Sequence, residues 1–221
     1  DDKIIMKIYN QSIKIFFTVV VVILLFFLEL PITQASEITE CVKETIDSVI
    51  DIVSREEFKN DAKKPQRRQL IREVVSKKFS YYEMSRRSLA KHWKKRTPKE
   101  KKEFMSLFGK LLENSYANKI ESYTDEKIIY VKELVKGNVA LVKTIIQKND
   151  DAIPVDYKLI KADNDWKIYD FIVEGVSMIR NYRTQFKKII HKSSYEELVS
   201  KLKKKVDNIS NNNVESDKLS S

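Results

Sequence analysis

The chain has 221 residues, with 42 Lys and Arg against 32 Asp and Glu, a net charge of +10, three glycines, two histidines and one cysteine. A single Cys excludes an internal disulfide, and three scattered glycines exclude a phosphate-binding loop. A surface this basic draws polyanions: nucleic acid, anionic headgroups or an acidic partner.

At the N-terminus Lys3, Lys7 and Lys14 precede an apolar run at 15–28, followed by Glu29, Pro31 and the small-residue site Thr33-Gln34-Ala35. This pattern predicts a signal peptide over 1–35, cleaved after Ala35. The run is shorter than the ~20 residues of a membrane span, and an uncleaved inner-membrane anchor is the alternative. Residues 1–35 carry three Lys and three acids, so removing them leaves the charge unchanged. Export decides against nucleic acid as a partner. Residues 36–207 then make one domain. Residues 208–221, rich in Asn and Ser, hold too little apolar surface to bury and are expected to form a disordered tail.

A helix is predicted over 38–57, with Ile46, Val49, Ile50 and Val53 on one side. Cys41 reads as a small core residue of that helix. A polar connection at 61–64 leads to Pro65, which suits the first turn of a second helix marked by Leu70, Val74 and Phe79. Over 79–93, Tyr82, Leu89 and Trp93 are expected to line one buried side. Thr97-Pro98-Lys99-Glu100 spells a capping box. It opens a long amphipathic helix carrying Phe104, Leu107, Phe108, Leu111, Leu112, Tyr116 and Ile120.

The period then changes. Segments 128–135 and 138–147 flank Lys136-Gly137 as a β-hairpin. Val155, Tyr157 and Leu159 share one face of a third strand, with Asp156 and Lys158 on the other. Turn residues at 162–165 lead into an aromatic, β-branched strand at 166–173. Gly175 marks a break before a helix bearing Ile179, Tyr182, Phe186 and Ile189. Ser193 and Ser194, each with a Glu three residues on, offer two caps for a last, lysine-rich helix with Leu198 and Leu202 inward. The class is α+β: a four-stranded antiparallel meander packed against several helices.

Catalytic chemistry finds no motif. Ser177 in Glu-Gly-Val-Ser-Met lacks the second glycine of a nucleophile elbow, and His92 and His191 have no partner at metal-ligand spacing. Asp170, an acid inside an apolar strand, is expected to accept backbone N–H groups or to pair with a Lys or Arg, and Glu174 to act similarly at the turn.

The basic-hydrophobic start, the F-S-Y-Y-E-M-S block with Leu89 and Trp93, the T-P-K-E-K-K-E-F-M-S-L-F helix and W-K-I-Y-D-F-I-V-E-G-V-S-M-I occur in one order along the chain. In that order they resemble the MlaC family, also called the toluene-tolerance family. The resemblance implies a periplasmic carrier with an apolar cavity for phospholipid tails between sheet and helices. It implies no enzyme, no metal and no cofactor, with phospholipid as cargo. Its implied partners are an outer-membrane lipoprotein complex and an inner-membrane transporter complex. Independently, the Lys and Arg face of the last two helices, with the net charge of +10, is expected to serve docking, including transient contact with a membrane surface. The chain is more lysine-rich than the family pattern, and its tail is longer. On this reading Val155, Tyr157 and Leu159 form the sheet side of the cavity, Phe104, Phe108 and Leu111 face them from the long helix, and Val176 and Ile179 from the next. Periodicity alone equally allows these residues to fill an ordinary core. The alternative function is then an exported basic interaction domain without a cavity.

Overall fold

The computed structural model describes the backbone of residues 36–123 and 125–219 and side chains as far as 208; the expected signal peptide lies outside the described residues. Ser36–Ser221 is one compact unit, and all the apolar clusters below lie within it.

Helix α1, Glu37–Ser54, opens where the Ser36 hydroxyl accepts the Ile38 N–H, and Glu37 and Glu40 sit favourably at its positive end. Two 3-10 turns, Glu56–Phe58 and Asp61–Lys63, lead to α2, Lys64–Lys78, with Pro65 in its first turn. Phe79 turns extended, and the Ser80 N–H donates to the Ile168 carbonyl at 2.8 Å, pinning the chain to the sheet. The Ser80 side chain then caps α3, Tyr81–Leu89. After a 3-10 turn, Ala90–Lys95, the capping box forms as expected. Thr97 N–H donates to Glu100 Oε2 at 2.7 Å, and Glu100 N–H to Thr97 Oγ1 at 3.2 Å. Helix α4, Pro98–Glu121, follows. Leu89 and Trp93 are buried, but Tyr82 is 53% exposed, its ring edge-on to Trp93.

The sheet has the strand order β1-β2-β3-β4-β5, every pairing antiparallel. Its strands are β1 Lys127–Lys136, β2 Val139–Lys148, β3 Asp151–Ala162, β4 Asp165–Val173 and β5 Val176–Ser177. Four were expected. The fifth is only two residues long, too short to show a period, and it pairs back on β4 through Glu174-Gly175. Both turn residues have positive φ, 50° and 81°, the left-handed geometry whose twist matches a two-residue hairpin. Glu174 therefore serves by its backbone: its N–H donates to the Pro154 carbonyl. Register shifts after Tyr130 and after Lys158 interrupt two ladders, and such bulges strengthen local twist.

Helix α5, Met178–Lys192, is capped by the Ser177 hydroxyl. Helix α6, Tyr195–Leu219, is capped by Ser194 through the Glu197 N–H. Its helical backbone continues past Asn208, where the tail was expected to begin. Propagating a nucleated helix needs far less than starting one.

The apolar residues form three clusters. Phe104, Phe108, Leu111, Ile179 and Phe186 centre the largest, among α3 to α6. Val42, Leu159, Trp166 and Ile168 join α1 to the sheet; Cys41 is buried there, its Sγ donating to the Trp166 carbonyl. Ile52, Phe58 and Ile71 make the third, between α1 and α2.

Asp170 is 3% exposed and has the structural role expected of it. It accepts the Ser177 hydroxyl at 2.6 Å and the Ile179 N–H at 3.0 Å, with Lys158 Nζ at 3.6 Å. One carboxylate thus ties β4, β5 and the start of α5. Asp170→Ala is expected to lose about 2–3 kcal/mol in urea denaturation, because charged hydrogen bonds vanish and a buried N–H is orphaned. A loss no larger than that of an exposed substitution would remove this role.

Candidate functional site

A cavity of about 490 Å³ opens between α1, α2, the second half of α4 and one face of the sheet. It touches all three clusters: Met84 and Leu112 of the first, Ile168 of the second and Ile71 of the third line it. The α1 stripe of Ile46, Val49, Ile50 and Val53 faces the hollow, so these aliphatic side chains are only half-buried. From the sheet come Ile128, Ile146, Val155, Tyr157, Phe171 and Val173.

Helix α4 divides its apolar surface. Phe104, Phe108 and Leu111 enter the helical core, where the Phe108 ring lies 5.1 Å from Tyr182 and 5.3 Å from Phe186. One residue on in phase, Leu112, Tyr116 and Ile120 face the cavity. Of the residues expected at the site, Val155 and Tyr157 line the cavity. Phe104, Phe108, Leu111 and Ile179 do not; they are 0–2% exposed and fill the helical core. Leu159 packs against α1 with Trp166, and Val176 is 62% exposed on β5. The α1 stripe and the second stripe of α4 were legible as apolar positions. Their facing a hollow was not, since periodicity carries no information about what lies opposite.

Several polar groups of the wall are paired with one another or with close neighbours. Glu113 accepts Arg72 Nε at 2.6 Å and the Tyr81 hydroxyl at 2.9 Å. Burial, then the nearby Glu113 carboxylate, pushes the Tyr81 hydroxyl far up, and burial pushes Tyr157 up to about 12. Both phenols stay neutral. Near the end of α4, Arg68 grips both Glu121 oxygens at 2.8 and 2.9 Å and Asn118 at 2.7 Å. Arg67 adds a contact to Glu121 at 3.2 Å. These ties hold α2 to α4 across the cavity's flank. Among the described residues no cluster of His, Cys, Asp and Glu could hold a metal ion. The site presents a largely apolar surface with a few paired polar groups, the kind of lining that accommodates apolar ligands.

The family model described as MlaC protein matches residues 43–204. The intermembrane phospholipid transport system binding protein MlaC of Haemophilus influenzae is 30% identical over 120 residues, 52% of this chain and 56% of that protein. Toluene tolerance protein ttg2D of Pseudomonas putida is 29% identical over 98 residues, 43% of this chain and 46% of that protein. The chain thus spans about half the length of the curated relatives it matches. A phospholipid-binding protein of Ralstonia solanacearum, solved with a phospholipid, shares the fold at a TM-score of 0.70 and 21% identity. The match covers 78% of this chain and 98% of that one.

The Glu121 tie generates a pH dependence. Burial alone would raise its carboxyl, but hydrogen bonds and charge from Arg68 and Arg67 outweigh this and hold it below the usual range. A carboxylate depressed in the folded state contributes stability above its unfolded value, near 4.3, and loses it as pH falls through the depressed value. Between about pH 5 and 3, wild type is therefore expected to lose more stability than Glu121→Gln, read by urea midpoints at each pH. Parallel curves would mean the tie is not energetically coupled to folding.

Proposed function

The chain belongs to the MlaC family, and on that premise we propose that it is a periplasmic phospholipid carrier, moving glycerophospholipid between an outer-membrane lipoprotein complex and an inner-membrane transporter complex. The observation that carries this reading is the apolar cavity. Its volume falls within the roughly 300–1,000 Å³ range of ligand sites, and its walls are mostly aliphatic and aromatic. Each acyl CH₂ withdrawn from water contributes about 0.8 kcal/mol, so the tails supply the binding energy. The headgroup then needs few contacts and stays near solvent, where exposed Lys119 on the cavity's rim suits a phosphate. Release follows from docking on a partner that widens the space between α2 and the sheet. The two relatives named for phospholipid transport and toluene tolerance, and the phospholipid-bound fold neighbour, support the same reading.

The test fills the hollow from opposite walls. Ile46→Trp on α1 and Ala117→Trp on α4 project bulk into the cavity and are expected to stay folded by circular dichroism. Both should extract at least about tenfold less fluorescent phospholipid from vesicles, since each displaces several CH₂ groups. Phe108→Leu, a core substitution away from the cavity, should extract lipid normally while unfolding at lower urea. Normal extraction by both tryptophan variants would place the lipid elsewhere.

A further inference from the structure

The helical half carries a basic face that the cavity does not use. The 3-10 turn Ala90–Lys95 exposes Lys91, Lys94 and Lys95, and α5 exposes Arg183 and Lys187. The two elements are locked side by side: Arg183 Nε donates to the Arg87 carbonyl, at the end of α3, at 2.9 Å. His92 reports the resulting field. After burial, Lys91, Lys95, Arg96 and Lys187 all push its imidazole toward the neutral form, so one ring feels cations from both elements. Nearby carboxylates are engaged elsewhere, Glu83 with Arg86 and Arg87, and Glu100 with Arg96. Among the described residues Lys91, Lys94, Lys95 and Lys187 meet no carboxylate. On the same flank Tyr82 is 53% exposed, its ring edge-on to Trp93 at 5.6 Å.

We propose that this face, formed by Lys91, Lys94, Lys95, Arg183 and Lys187 beside the exposed Tyr82, docks the protein on an anionic lipid bilayer. The cations are spread over two elements, and none of them lines either the large cavity or the small pocket beside β1, β2 and Tyr169. A diffuse array of this kind matches a broad polyanionic plane better than one fixed carboxylate. Four of the five cations are lysines, flexible point charges that follow mobile headgroups, whereas a rigid acidic partner favours the planar fork of arginine. Tyrosine has an apolar ring and a polar tip, and this dual character enriches it at the headgroup level of membranes. Clusters of four to eight cations suffice to draw a surface to anionic lipid. The inference goes beyond the carrier reading and does not need the cavity.

The test is co-sedimentation of residues 36–221, which hold all three apolar clusters, with vesicles containing about 30 mol% phosphatidylglycerol in phosphatidylcholine. Binding is expected at about 50 mM salt, to weaken at about 500 mM, and to be absent with phosphatidylcholine alone. Lys91→Glu/Lys95→Glu/Lys187→Glu should lower partitioning at least about tenfold, with circular dichroism and extractable lipid unchanged. Lys192→Glu/Lys204→Glu/Lys205→Glu makes the same change in net charge elsewhere and should lower it far less. Equal losses in the two triple variants would overturn the proposal in favour of net charge alone. Wild type that ignores anionic vesicles but binds immobilised polyglutamate would overturn it in favour of an acidic protein. Wild type that binds anionic vesicles but holds no extractable lipid would count against the carrier reading and leave this proposal standing.

Discussion

The structure depends on a constraint that folding ordinarily forbids: a large aliphatic surface kept from closing on itself. Left enclosed and empty, about 490 Å³ at ~24 cal/mol per Å³ would cost about 12 kcal/mol, as much as the whole stability of an ordinary domain. The hollow is open to solvent, which lowers that figure, and an aliphatic occupant would offset the remainder. Collapse is resisted by the ties from α2 to α4, through Arg72 to Glu113 and through Arg67 and Arg68 to Glu121. Such groups cannot slide into an apolar space without losing their partners.

Holding a hollow open places the cohesion of the fold elsewhere. The helical core, centred on Phe104, Phe108 and Phe186, carries the close aromatic packing. Asp170 couples that half to the sheet through Ser177 and the Ile179 N–H. Ser80 supplies a second coupling through the Ile168 carbonyl. Helix α4 belongs to both halves, dry along one stripe and facing the cavity along the next. A displacement of its second half therefore changes cavity shape while its first half stays anchored.

Much of this was legible in the residues. The capping box at Thr97, Pro65 in the first turn of α2 and the meander from Lys127 to Val173 follow from local chemistry, and local chemistry prevailed. The short β5 was missed because two residues carry no period. The site was only partly legible. Val155 and Tyr157 line the cavity, while Leu159, on the same face by alternation, packs against α1. Phe104, Phe108, Leu111 and Ile179 were drawn to the site because large aromatic and aliphatic groups look alike whether they pack or line. The distinguishing sign lay in α4 itself: Leu112, Tyr116 and Ile120 add a second apolar stripe beside the first. A helix with two such stripes has two apolar surroundings, and one of them here is the cavity.

The central claim is that this space holds lipid. Native mass spectrometry of residues 36–221, purified from a Gram-negative host without detergent, addresses it most directly. The account predicts an adduct of phospholipid mass that leaves on denaturation and is recovered by solvent extraction. The bare chain alone, with no uptake from added liposomes, would contradict it.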